Sequence, residues 1–219
     1  MSDKRNLTKK EVHSIRTVAD GVFVISFIRD FKFRAGQVIA IDIVPDGQPR
    51  LYSIASGEKE DLMEILFDEK RNGQLTPYLS KMKAGDAIYV SEPFGTFVSS
   101  SEKAYWIAAG TGVAPFVSMA RSGLAANKIL VHGARFDENF YYSSLLEKIL
   151  PERYFRCCSQ QEDTLNFKGR LTEWLTSQQD LPLEYQYYLC GSAEMVVQVR
   201  DILIAKEIPF QNIISETYF

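Results

Sequence analysis

The chain changes rhythm once, at Ser99-Ser100-Ser101, and that change limits what it can fold into. From Glu11 to about Ser91, apolar residues come in runs of strand length separated by turns. Val22-Phe23-Val24-Ile25-Ser26-Phe27-Ile28 is β-branched and aromatic, and Gln37 to Val44 follows, closed by Pro45-Asp46-Gly47. Arg50 to Ser56, Leu62 to Phe67 and Ala87 to Val90 continue the pattern. One helical stretch, Leu75 to Met82, is stopped by Lys83-Ala84-Gly85. Short strands at this spacing specify a small antiparallel barrel. After the serines, strands and helices alternate. Strands are expected at Tyr105–Ala109, Lys128–His132, Tyr154–Ser159, Gln186–Cys190 and Asn212–Glu216. Helices are expected at Pro115–Ser122, Phe140–Leu150, Leu171–Ser177 and Ser192–Lys206. Such alternation specifies a parallel sheet with helices on both faces. The expected architecture is two domains: an antiparallel β-barrel over residues 1–99, then an α/β parallel-sheet domain over residues 100–219.

Composition narrows the function. With 46% hydrophobic and 24% charged residues the chain has ordinary globular composition. No run of 18 apolar residues is present, so no transmembrane helix is encoded. The opening Met1-Ser2-Asp3-Lys4-Arg5 leads into no apolar stretch of signal-peptide length, which gives a cytoplasmic protein as the expectation. A net charge of −3 provides no chain-wide cationic field for nucleic acid or an anionic membrane. Lys4, Arg5, Lys9 and Lys10 form a small basic patch, read as a solvated arm. The three cysteines, Cys157, Cys158 and Cys190, are too few for a four-thiolate cluster and lack zinc-site spacing, so no metal site is expected. The vicinal Cys157-Cys158 pair reads as thiols, one in the core and one at the surface.

Five short stretches carry candidate chemistry. In Arg50-Leu51-Tyr52-Ser53, alternation puts Arg50 and Tyr52 on one strand face and Leu51 and Ser53 on the other. A guanidinium, a flat ring and a hydroxyl together suit a phosphorylated planar ligand; the alternative is an ordinary barrel strand. In Gly73-Gln74-Leu75-Thr76-Pro77, Thr76 reads as a helix cap and Pro77 as the first helical residue. Free amides there attract phosphate, although a cap without ligand fits equally. Gly110-Thr111-Gly112 lies between a buried strand and a helix, where glycines let backbone approach a pyrophosphate. Pro115 stands where a dinucleotide fingerprint has its third glycine, and it can open the helix. Cys190-Gly191 ends a parallel strand, where open α/β sheets bind ligands; Cys190 reads as a packing thiol at a ligand edge. Glu216-Thr217-Tyr218-Phe219 places two aromatics at the end of the sequence, against a flat ligand or as core anchors.

Taken in order, with Phe33-Arg34-Ala35-Gly36-Gln37 before them, these motifs resemble the ferredoxin–NADP reductase superfamily, its bacterial branch most closely. The resemblance runs from about Glu11 to Phe219. It implies FAD on the barrel, NADPH or NADH on the parallel sheet, and a ferredoxin or flavodoxin as electron acceptor. It also implies roles. Arg50 would pair with the flavin pyrophosphate, Tyr52 would stack near the isoalloxazine, and Ser53 would bond the N5 region. Leu51 and Leu66 join the flavin-binding set. Gly73, Gln74, Leu75 and Thr76 would hold the FAD pyrophosphate, and Gly110, Thr111, Gly112 and Pro115 that of the dinucleotide. Cys190, Gly191 and Glu216 would lie beside the nicotinamide. Tyr218 would cover the flavin and Phe219 would reach the adenine. Arg135 and Arg170 resemble positions that reach a 2′-phosphate, but Ser159-Gln160 stands where NADPH-preferring relatives commonly have Ser-Arg. Two readings compete: a reductase that releases free reduced flavin, and a non-catalytic flavin-binding module.

Overall fold

The computed structural model describes residues 6–218, with the side chain of Tyr218 excluded. Lys4, Arg5, the Tyr218 side chain and Phe219 thus lie outside the described residues. Backbone contacts divide the chain into two compact units. One holds the residues up to Val98 together with Ala114–Ser122; the other holds Ser99–Val113 and the residues from Gly123 onward.

The first unit is a six-stranded antiparallel sheet. Its strands are β1 (Thr8–Ala19), β2 (Val22–Ile28), β3 (Val38–Asp42), β4 (Arg50–Ser53), β5 (Leu62–Asp68) and β6 (Ala87–Val90), in the order β4-β3-β6-β1-β2-β5. An antiparallel bridge between Ile54 and Ile65 joins the two edges and closes the barrel. Ala55 N–H adds a bond to the Glu64 carbonyl, at 2.8 Å. Closure removes the exposed edges that would otherwise template aggregation. Ile25, Phe27, Ile39, Ile54, Met63 and Ile65 are fully buried inside it. Each contributes about 1.5–3 kcal/mol by leaving water.

Strand β1 corrects the solvated-arm expectation for Lys9 and Lys10. Its first residues pair with β6, Thr8 opposite Val90, and its later ones pair with β2. Register shifts between Val12 and Ser14, and again between Thr17 and Ala19, let one strand turn the barrel corner. Lys10 reaches Asp30 and lies over the Phe31 ring. The strand eludes pattern reading because it buries only Val12; ladder hydrogen bonds on both sides hold it.

The expected Leu75–Met82 helix is a single turn, α1 (Thr76–Leu79). Thr76 does not cap it. The cap position is Leu75, and the Thr76 hydroxyl accepts a bond from Lys70 N–H, at 2.9 Å.

The second unit is wholly parallel: β7 (Ala104–Ala109), β8 (Lys128–Ala134), β9 (Tyr154–Cys158), β10 (Phe167–Lys168), β11 (Gln186–Ser192) and β12 (Ile213–Tyr218). Their order is β10-β9-β8-β7-β11-β12. Helices α4 (Leu171–Ser177) and α5 (Ala193–Ala205) cover one face, where Val131, Leu175, Leu189, Val199 and Leu203 form the core. Ser192 caps α5 by accepting Met195 N–H. The two-residue strand β10 is too short for a sequence signal. The expected Phe140–Leu150 helix shortens to α3 (Ser143–Ile149), because Asp137–Asn139 takes a 3-10 turn and Tyr142 has a left-handed φ of 58°.

Helix α2 (Ala114–Arg121) opens at Ala114, with Pro115 second. Its residues group with the barrel, although the alternating rhythm assigns them to residues 100–219. Polar bonds explain this. Ser118 donates to the Ser56 carbonyl at 2.7 Å, and Ser122 accepts from Glu58 N–H at 3.0 Å. The Arg121 guanidinium binds Glu60 at 2.7 Å, Glu64 at 2.6 Å and the Ala55 carbonyl at 3.2 Å. Burial alone would lower the Arg121 pKa; its bonds to Glu60 and Glu64 outweigh that and raise it.

Candidate nucleotide and flavin sites

On the barrel, β4 presents the Arg-Leu-Tyr-Ser stretch between β3 and the bridged edge. Tyr52 packs on the barrel core, with Phe67 edge-on at 6.3 Å. Burial raises the Tyr52 hydroxyl well above its usual pKa; Arg50 opposes this, and Asp68 and Asp42 reinforce it. Ser53 is buried, whereas Leu51 is 57% exposed. Arg50 is exposed and forms no ion pair among the described residues. Leu66 is buried in β5, opposite Val24. Before α1, Gly73 N–H bonds the Lys70 carbonyl at 2.7 Å. The N–H groups of Gln74, Leu75 and Thr76 make no hydrogen bond among the described residues. An uncommitted guanidinium and unspent amides are the donors a flavin diphosphate needs, and an exposed apolar side chain suits the flat ring of such a ligand. The residues fit the group.

In the parallel sheet the strand order reverses beside β7. β8 and β9 lie to one side and β11 and β12 to the other, and such a switch point is where open α/β sheets take ligands. The glycine turn falls there, as a 3-10 turn over Gly110–Val113 after β7. Gly110 has φ +54°, and a Cβ at that position would face open space. At Gly112 the reverse holds: a Cβ would stand 2.4 Å from the Cys190 carbonyl oxygen. Only glycine lets this turn lie flat on the end of β11. The cradle fits a dinucleotide pyrophosphate.

Parallel register aligns the remaining candidates. Glu216, Cys190, Ala108, His132 and Arg156 are successive partners across β12, β11, β7, β8 and β9. Partners in one register share a sheet face. Cys190 is fully buried, and Glu216 is half-buried. One level further on, Gly191 pairs with Thr217. The sheet thus brings together Cys190, Gly191 and Glu216, which are far apart in sequence.

Arg135 and Arg170 are both exposed. Arg135 follows β8, and its carbonyl accepts the Cys158 thiol at 3.2 Å. Beside it, Phe136, Asp137, Glu138 and Gln161 line a cavity of about 400 Å³. Burial opposes ionisation of the Asp137 carboxyl, but bonds from Thr164 and Asn166 outweigh it and hold the pKa below its usual value. Arg170 precedes α4 and donates its N–H to Glu173 at 2.8 Å. One of the pair is expected at the surface, but Cys157 and Cys158 are both buried, and the Cys158 thiol donates to the Arg135 carbonyl. Burial pushes the Cys157 thiol up to about 12, so it is no nucleophile.

His132 escaped the motif reading. It sits in the apolar run Ile129-Leu130-Val131-His132-Gly133, and an imidazole at the end of such a strand is the signal that could have found it. One ring nitrogen meets the Gly110 carbonyl at 3.3 Å and the other the Tyr154 hydroxyl at 3.0 Å.

Two family models match this chain: the oxidoreductase FAD-binding domain over residues 6–98 and the oxidoreductase NAD-binding domain over residues 106–201. The chain is 29% identical to a ferredoxin–NADP reductase of Azotobacter vinelandii, over 90% of this chain and 89% of that protein. It is also 29% identical to a flavodoxin/ferredoxin–NADP reductase of Rhodobacter capsulatus, over 88% of this chain and 83% of the other. Its fold matches the crystal structure of a ferredoxin NADP+ reductase from Neisseria gonorrhoeae with bound FAD and NADP. That match has a TM-score of 0.86 at 20% identity, over 98% of this chain and 99% of the other. No helix among the described residues is long and apolar enough to cross a membrane. With a flavin domain and a nicotinamide-nucleotide domain in that order, this chain belongs to the ferredoxin–NADP reductase superfamily and is an FAD-dependent NAD(P)H oxidoreductase of electron transfer.

Proposed function

We propose that this reductase passes electrons from NAD(P)H through FAD to a separate small carrier, a ferredoxin or a flavodoxin. The observation that carries the reading is the switch point, where Gly110-Thr111-Gly112 lies on the end of β11 beside Cys190 and Glu216. The names of the Azotobacter and Rhodobacter relatives support the choice of acceptor.

The bound flavin supplies the redox chemistry, taking a hydride from the nicotinamide and releasing electrons singly or in a pair. The protein supplies position. In this reading Arg50 and the amides of Gln74, Leu75 and Thr76 hold the flavin diphosphate, with Gly73 shaping their approach. Leu51, Leu66 and Tyr52 line the ring system, and Ser53 offers its hydroxyl to the N5 region. Gly110, Thr111 and Gly112, with Pro115 just beyond, seat the dinucleotide pyrophosphate. Cys190, Gly191 and Glu216 border the nicotinamide. Tyr218 and Phe219 are assigned to the flavin face and the adenine. Arg135 and Arg170 are assigned to a 2′-phosphate, which gives a lean toward NADPH. Ser159-Gln160, standing where NADPH-preferring relatives commonly have Ser-Arg, works against that lean.

The test begins with the visible spectrum of the purified protein. Bound FAD that survives dialysis and bleaches on anaerobic addition of NADPH or NADH is expected. Reoxidation by ferredoxin or flavodoxin, followed through cytochrome c, then identifies the acceptor. Loss of the flavin on dialysis, with turnover restored by free flavin, would replace this reading with a free-flavin reductase.

A further inference from the structure

We propose that His132 is a positioning residue for the nucleotide turn: its Nε2–H donates to the Gly110 carbonyl and so fixes the peptide that meets the pyrophosphate. This rests on the nucleotide-binding reading of Gly110-Thr111-Gly112.

His132 is fully buried, and both ring nitrogens are engaged. A carbonyl can only accept, so Nε2, 3.3 Å from the Gly110 oxygen, must carry the proton. In the neutral ring Nδ1 is then an acceptor, and the Tyr154 hydroxyl donates to it across 3.0 Å. Packing fixes the ring as well. Phe140 meets it edge-on at 5.3 Å, and the Tyr154 ring lies 6.2 Å away at 27°. Arg156 sits over both aromatic rings, 5.8 Å from Phe140 and 5.7 Å from Tyr154, and pairs with Glu147 of α3 at 2.7 Å. Burial, opposed by the Gly110 bond and helped by the Arg156 charge, pushes the imidazole down to about 4. The ring therefore stays neutral, with one tautomer, near neutral pH.

The consequence follows from peptide geometry. The bond from Gly110 to Thr111 is planar and trans, so the Gly110 carbonyl and the Thr111 N–H point in opposite directions. A donor that holds the carbonyl toward the sheet aims the Thr111 N–H away from it. Gly110 has a left-handed φ of +54° and no side chain, so the orientation of that peptide is set by the 3-10 turn over Gly110–Val113 together with the imidazole on its carbonyl. A mere core histidine would need only satisfied nitrogens; this one satisfies itself on the residue that opens the glycine turn.

The experiment compares ligands with and without a pyrophosphate. The flavin-loaded protein is titrated with NADP+, NAD+ and ADP, and with adenosine in competition. The double variant His132→Phe/Tyr154→Phe removes both polar partners while keeping aromatic volume. It is expected to weaken NADP+ or NAD+ and ADP by about threefold to tenfold, the worth of one hydrogen bond. Adenosine affinity and FAD content stay unchanged. His132→Gln, which keeps a donor of similar reach, is expected to recover most of the affinity. His132→Asn, polar but too short, is expected to show the same loss and serves if the double variant does not fold. Unchanged dinucleotide affinity in a folded variant, or an equal loss for adenosine, would overturn the inference. Wild-type protein that bleaches with neither NADPH nor NADH and binds neither oxidised nucleotide would overturn the nucleotide reading, and this inference with it.

Discussion

On the barrel, Arg50 and Leu51 stand in solvent on a four-residue strand, and Arg50 forms no ion pair among the described residues. In the parallel sheet, Cys190 and His132 are wholly buried, and every polar atom of the His132 ring is bonded. Both regions are assigned diphosphate ligands, yet they prepare for them differently. The barrel leaves charged donors uncommitted, so desolvation is deferred until the ligand arrives. The sheet commits its side chains to the backbone and offers a shaped turn. An exposed donor site loses affinity when one side chain is cut but keeps its fold. A buried shaping site loses stability along with ligand affinity when one partner of a bond is left behind, because that group cannot return to water.

The largest expected effect is on the sheet. His132 has its pKa lowered from 6.5 to about 4 in the folded state, so the unfolded chain binds the proton more readily between these values. Stability from this group is full above pH 6.5 and is lost as pH falls toward 4, by about 3 kcal/mol. Urea unfolding of wild type and His132→Phe at pH 7 and pH 4.5 should show a steeper acid loss in the wild type. Parallel pH slopes would show that the imidazole is not held neutral.

Gly112→Ala follows closely. A backbone oxygen 2.4 Å from the new Cβ cannot rotate away, so the turn must lift. The cost is about 3 kcal/mol, the upper end of overpacking, and appears in thermal unfolding together with weakened NAD(P)+ binding. Retained stability and affinity would mean that the turn does not lie against β11.

Arg50→Ala tests the other half of the comparison. It should weaken FAD by about 2 kcal/mol, near thirtyfold in Kd, while the apoprotein melts within about 0.5 kcal/mol of wild type. Apoprotein destabilised as much as FAD binding would remove the contrast. The smallest effect is at Thr76. Its hydroxyl holds Lys70 N–H, so Thr76→Val should cost about 1 kcal/mol of stability and little flavin affinity.

Reading from residues located the glycine turn and the limits of α4 correctly, since each depends on local chemistry, and the strand expected over Arg50–Ser56 starts as expected but ends at Ser53. Thr76 was misread because Thr followed by Pro is a good cap pattern, while the hydroxyl had a better partner in the preceding turn. Strand β1 gave no apolar alternation because it is stabilised by ladders on both sides rather than by burial. Helix α2 follows the sheet's rhythm, but Arg121, Ser118 and Ser122 find their partners at Ala55, Ser56, Glu58, Glu60 and Glu64. No pattern within the helix announces that.

The sequence by itself determined the two layer types, the order of the motifs and hence the family, because hydrophobic period and turn chemistry are local properties of the chain. Only the tertiary structure decided which distant residues share a row. Glu216, Cys190, Ala108 and His132 lie on neighbouring strands because the parallel strands order themselves about β7. That order depends on which edges pair and on the hand of each crossover, which burial and hydrogen bonding select over the whole sheet. The partner of His132 is decided the same way. Its carbonyl acceptor at Gly110 comes from the neighbouring strand's turn, 22 residues back along the chain.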